Sequence, residues 1–145
     1  MTRKTRIGAV HVAALAALVA LGFSGESMAQ STSKPYGCAC LHNTKVDGKI
    51  NYRYKWGSGD WKVLSLAKGT SQTMCWSYKD APKSPELQFQ LDTDMSKGQA
   101  WETFSIPRAQ STDVKCGSVP DSAHYPVGYV KDSNKKKIQI YNGKS

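Results

Sequence analysis

Between Lys49 and Leu91 the chain repeatedly alternates apolar and polar residues with a period of two, broken at short intervals by turn-forming residues. This pattern constrains the fold more than any other feature. In Lys49–Trp56, Ile50, Tyr52, Tyr54 and Trp56 fall on one face, and Asn51, Arg53 and Lys55 on the other, because successive side chains of a strand point to opposite sides. Gly57-Ser58-Gly59-Asp60 supplies a turn, since glycine and aspartate tolerate the backbone angles of a tight reversal. Trp61–Leu66 is the predicted return strand. Lys68-Gly69 turns the chain into Thr70–Tyr78, which sets Met74, Trp76 and Tyr78 opposite Cys75. Leu87–Leu91 alternates throughout, and Trp101–Ile106 is a further strand ended by Pro107. Tyr125–Lys131 and Lys136–Tyr141 flank Asp132–Lys135 as a final hairpin. Pro126 predicts that the first of these two strands starts at a sheet edge, because proline has no N–H for a ladder. Residues 109–122 read as irregular. Helical periodicity is missing from the whole stretch after residue 30. The expected fold is all-β: one antiparallel β-sandwich, or a small barrel, of about seven to eight short strands.

The N-terminus reads as an export leader. Arg3, Lys4 and Arg6 form a basic head, an apolar run extends from Ile7 to Phe23, and Ser27-Met28-Ala29 offers small residues for cleavage before Gln30. The apolar run, about 17 residues and rich in alanine, sits at the lower limit for a spanning helix. With no second such stretch, the expectation is a periplasmic or extracellular protein without an integral membrane segment once residues 1–29 are removed. Residues 30–37 read as a flexible lead and 38–145 as the β domain. Of 20 Lys/Arg and 11 Asp/Glu in the chain, the leader holds three and one. The remainder is therefore still clearly basic, and its cations are almost all lysine. Outside the cell such charge excludes nucleic acid as the expected partner and favours an acidic protein or an anionic envelope polymer.

All four cysteines, Cys38, Cys40, Cys75 and Cys116, follow the leader. An even count in an exported chain implies two disulfides. A bridge between Cys38 and Cys40 would close a loop around one residue, against the required geometry. Two pairings stay open: 38–75 with 40–116, and 38–116 with 40–75. The competing expectation is a metal site. Cys38-Ala39-Cys40-Leu41-His42 alternates, so Cys38, Cys40 and His42 would share a strand face and could ligate Zn²⁺ or Cu⁺.

The densest aromatic segment, Tyr52 to Trp61, interleaves Arg53 and Lys55. Tryptophan and tyrosine rings can stack sugar rings, and the cations between them can bind uronates or phosphates. Arg53, Lys55, Trp56 and Trp61 are therefore the expected binding surface, while Tyr52 and Tyr54 are expected in the core. Catalytic motifs are missing. Glu86, Glu102, His42 and His124 are the candidates for a small hydrolase, which would need two of them to converge in a cleft. Asp92 and Asp94 read as turn residues bonded to their own backbone rather than as a Ca²⁺ site. The leading expectation is a non-enzymatic binding domain of inhibitor or accessory type, with no cofactor. The metal-binding protein comes second and the hydrolase third.

Overall fold

The alternating segments do form strands. The computed structural model describes residues 34–142, so the leader expected over residues 1–29 lies outside the described residues. Nine strands follow in order: β1 (Tyr36–Asn43), β2 (Ile50–Trp56), β3 (Lys62–Leu66), β4 (Thr70–Ser77), β5 (Leu87–Asp92), β6 (Trp101–Thr103), β7 (Ala109–Ser111), β8 (His124–Tyr129) and β9 (Ile138–Ile140). They make two sheets. One has the order β3-β2-β5-β6. The other has the order β4-β1-β8-β9, with β7 paired to the start of β1. Among the described residues no helix is long and apolar enough to cross a membrane.

The sheets pack as a sandwich, and the period-two pattern supplies its core. Ile50, Tyr52, Leu66, Phe89 and Leu91 from one sheet are buried with Ala39, Leu41, Met74, Tyr125, Val127 and Ile138 from the other. Tyr52 is 1% exposed, and its ring lies 5.9 Å from that of Phe89. Burying each large apolar side chain contributes roughly 1.5–3 kcal/mol. Desolvation, with the neighbouring Tyr54 phenol, pushes the Tyr52 hydroxyl up to about 12.

β1 is buried on both faces. Ala39 and Leu41 enter the core, yet Cys38 and Cys40 on the opposite face are also fully buried. The chain between β7 and β8 lies over them. Thr73 Oγ1 donates to the Val114 carbonyl at 2.5 Å, and Cys40 is bridged to Cys116. Cys38 is bridged to Cys75, its facing partner on the antiparallel strand β4. The disulfides are thus 38–75 and 40–116.

Three details differ from the expectations. The pairing of β1 with β8 is parallel, making that sheet mixed. No hairpin joins these strands, so their direction is set by the long connection between them. Tyr36 and Gly37, assigned to the lead, already pair with Ser77 and Trp76. β7 lies within the stretch read as irregular, where three residues are too few for alternation to register. The start of β8, by contrast, is at the sheet edge as Pro126 predicts, since residues 124–126 pair with β1 and β9 begins opposite Val127. The Tyr141 N–H donates to the Pro126 carbonyl at 2.8 Å, so the reciprocal bond that proline cannot make falls just past the end of β9, and the ladder to β1 loses nothing.

Candidate binding face

The face of β3-β2-β5-β6 turned away from the core carries the basic and aromatic residues singled out from sequence, with one exception. Arg53, Gln90 and Thr103 lie in one row across β2, β5 and β6. Arg53 Nε donates to Gln90 Oε1 at 2.7 Å, and Gln90 Nε2 donates to Thr103 Oγ1 at 3.0 Å. The Arg53 guanidinium carbon is 4.8 Å from the centroid of Trp61, on the β3 side, and 4.6 Å from that of Trp101, on β6. Lys55 Nζ stands 5.2 Å from the Trp61 ring. Each such contact is worth about 0.5–1 kcal/mol at an exposed site. Together they fix a guanidinium between two indoles and leave its two terminal NH₂ groups without a protein acceptor among the described residues.

The exception is Trp56. Alternation sends it to the opposite side of β2 from Arg53 and Lys55, toward the mouth of the sandwich. There it meets Trp76 at 5.4 Å and lies under the Arg108 guanidinium at 5.0 Å. Arg108 donates through Nη1 to Ser84 Oγ and through Nη2 to the Pro85 carbonyl at 3.1 Å, and burial lowers its pKa. Trp56 is therefore part of the sandwich closure. Trp101 takes its place on the outer face. Sequence reasoning missed Trp101 because its neighbourhood depends on the pairing of Trp101 with Asp92.

β6 stops at Thr103, short of the expected Ile106. One further bond follows, from Phe104 N–H to the Phe89 carbonyl at 3.2 Å, before the chain diverges at Pro107. The divergence opens a groove of about 490 Å³ beside β5, lined among others by Trp61, Gln88, Gln90, Thr103, Ser105 and Arg108. The groove runs alongside the Trp61–Arg53–Trp101 stack.

The remaining candidates fall elsewhere. Glu102 faces Leu91, whereas Glu86 immediately precedes β5. Five residues of strand, roughly 16 Å, separate those positions, beyond the span of about 5–10 Å used in glycoside hydrolysis. Asp92 accepts from the N–H groups of Gln99 and Ala100, and Asp94 from those of Ser96 and Lys97. The Ser96 bonds lower the Asp94 pKa. These two carboxylates shape the turn, as expected.

His42 and His124 do converge, on the outer face of the other sheet. His42 Nε2 and His124 Nδ1 are 2.7 Å apart, and the rings are stacked with centroids 4.8 Å apart. His42 Nδ1 is 2.7 Å from Ser71 Oγ, and His124 Nε2 is 2.9 Å from the Val119 carbonyl. A carbonyl only accepts, so His124 donates through Nε2. With both rings neutral, His42 Nε2 then donates to His124 Nδ1, and the Ser71 hydroxyl donates to His42 Nδ1. Of the expected metal ligands, Cys38 and Cys40 are both held in disulfides. The potential ligand atoms of Cys40, His42 and Cys116 lie within 4.8 Å of one another.

No protein-family model matches the chain, and no curated protein sequence matches it significantly. Among solved structures, an NMR structure of a protein from Eubacterium rectale is similar over 80% of this chain and 96% of that one, at 15% identity and a TM-score of 0.37. That likeness is too loose to inform the fold or the site.

Proposed function

We propose that this protein is an exported, non-enzymatic binding domain whose outer β3-β2-β5-β6 face holds an anionic polymer of the cell envelope, a polysaccharide bearing uronate or phosphate groups. The observation that carries this reading is the Arg53 guanidinium, fixed between Trp61 and Trp101 and bonded through Nε to Gln90, with its terminal NH₂ groups without a protein acceptor among the described residues. A planar fork of this kind suits a carboxylate or phosphate, and the flanking indoles suit sugar rings. The adjoining groove fits an extended chain. Surrounding lysines attract polyanions at long range. The two disulfides are compatible with an exported protein, and the separation of Glu86 from Glu102 leaves that carboxylate pair unsuited to cleaving a bound polysaccharide.

An acidic protein surface is the second reading, favoured by the exposed Val63 (62%) and Leu64 on the free edge of β3. Calorimetric titration of residues 30–145 with oligogalacturonate and, in parallel, with an acidic peptide separates the two. The expected result is saturable oligogalacturonate binding that weakens with salt. Arg53→Gln should weaken it roughly tenfold or more, the loss expected for a charged hydrogen-bonded contact, while the variant stays folded and its melting temperature falls only by the several degrees that the lost ring contacts are worth. Binding that is indifferent to Arg53→Gln overturns the proposal, and binding of the acidic peptide alone transfers the site to the second reading.

A further inference from the structure

We propose that the Cys40–Cys116 bridge and the His42–His124 pair together form a redox-gated site for a soft or borderline divalent metal such as Zn²⁺. The nitrogens that face each other are His42 Nε2 and His124 Nδ1, 2.7 Å apart. The outward nitrogens are both held by oxygen, at Ser71 Oγ and at the Val119 carbonyl. His124 donates through its outward nitrogen to a carbonyl oxygen, the arrangement that orients a histidine ligand on a metal, and His42 reaches the same arrangement by a change of tautomer. Two nitrogens of one tetrahedral Zn²⁺ stand about 3.3 Å apart, so the pair must open by about 0.6 Å. The sulfurs of Cys40 and Cys116 and a ring nitrogen of His42 lie within 4.8 Å of one another, and the His124 ring, outside that cluster, must swing in to complete the shell. Cys40 is fully buried, whereas Cys116 is partly exposed in a 3₁₀ turn between exposed Lys115 and Gly117, so the Cys116 sulfur is the one a reductant reaches.

A dithiol reductant transfers two electrons to the bridge, the S–S bond breaks, two thiols form, and the reductant leaves as its disulfide. Zn²⁺ then forms two Zn–S bonds and releases the two thiol protons to solvent. The His42 ring exchanges tautomer, carrying its proton on Nδ1 and donating it to Ser71 Oγ, while the Ser71 hydroxyl turns its own proton to solvent. His124 keeps its Nε2 proton on Val119. In the oxidised state no thiolate is present and the two histidines hold each other instead.

The test is a Co²⁺ titration of residues 30–145, oxidised and after phosphine reduction, followed by displacement with Zn²⁺. The reduced protein should bind one equivalent with sulfur-to-cobalt charge-transfer absorption, and the oxidised protein should show none at the same concentrations. Reduced Ser71→Ala, which removes only an exposed hydroxyl, should bind roughly tenfold more weakly. Reduced Cys116→Ser should lose most of the absorption, while a variant with both Cys38 and Cys75 replaced by serine should keep it. Equal binding by oxidised and reduced protein overturns the proposal. So does a reduced Cys116→Ser variant that binds like the parent, or a reduced chain whose lost β-sheet circular dichroism Zn²⁺ does not restore.

Discussion

Single side chains in this protein act mainly by closing accounts that the backbone leaves open. Asp47 shows how. In the connection between β1 and β2 it accepts from Lys68 Nζ at 3.0 Å and from Lys135 Nζ at 2.7 Å, while its own N–H donates to the Tyr129 hydroxyl. It thereby ties three separate turns together. The hydrogen bond from Lys135, then that from Lys68, hold its carboxyl down at about 2 from an ordinary 3.8. A group whose pKa is depressed by folding stabilises the fold above its unfolded pKa and loses that contribution as pH falls through the folded one. Urea midpoints should therefore decline between about pH 4 and pH 2 through this group. Asp47→Asn should flatten that decline, and an unchanged slope would remove Asp47 from the acid response. Both ion pairs are exposed, so the effect should shrink in high salt.

At the scale of elements, the turns decide which strand meets which. Gly57 opens the β2–β3 connection with φ near +52°, and a Cβ there would stand 3.2 Å from the Pro85 side chain. Its N–H donates to the Glu86 carbonyl at 2.8 Å, which also starts the β2–β5 ladder. Gly57→Ala should cost about 1–2 kcal/mol for the left-handed backbone, measured as a fall in urea midpoint at unchanged slope.

This hairpin was legible in sequence because alternation and turn chemistry agree there, as they do for β4, β5 and the β8–β9 hairpin. The alternation of β1 was equally visible, but its partners were not. β4, β7 and β8 reach it from distant parts of the chain, and its buried outer face depends on residues 111–119 folding over it. The binding face divides the same way. Arg53, Lys55 and Trp61 could be grouped from one hairpin, and strict alternation along β2 already argued against Trp56 joining them. Trp101 and Gln90 could not be found, because only the β2-β5-β6 register brings them beside Arg53. The convergence of His42, His124 and Ser71 likewise rests on β4, β1 and β8 lying side by side.

The whole molecule presents two unlike faces around one core. The outer face of β4-β1-β8-β9 is sealed by the disulfide-anchored segment and holds the histidine pair. The outer face of β3-β2-β5-β6 is open, aromatic and basic, with a groove beside it. The two disulfides tie the middle and late parts of the chain to β1. The four tryptophans of the chain report on this division directly, because two belong to the open face and two to the interior mouth. The decisive measurement is a ¹H–¹⁵N spectrum of the indole N–H groups during titration with oligogalacturonate. The signals of Trp61 and Trp101 should move together and saturate at a common concentration, while those of Trp56 and Trp76 stay in place. Movement of Trp56 and Trp76 with Trp61 and Trp101 unmoved, or no movement at all, would contradict the assignment of the open face as the binding surface.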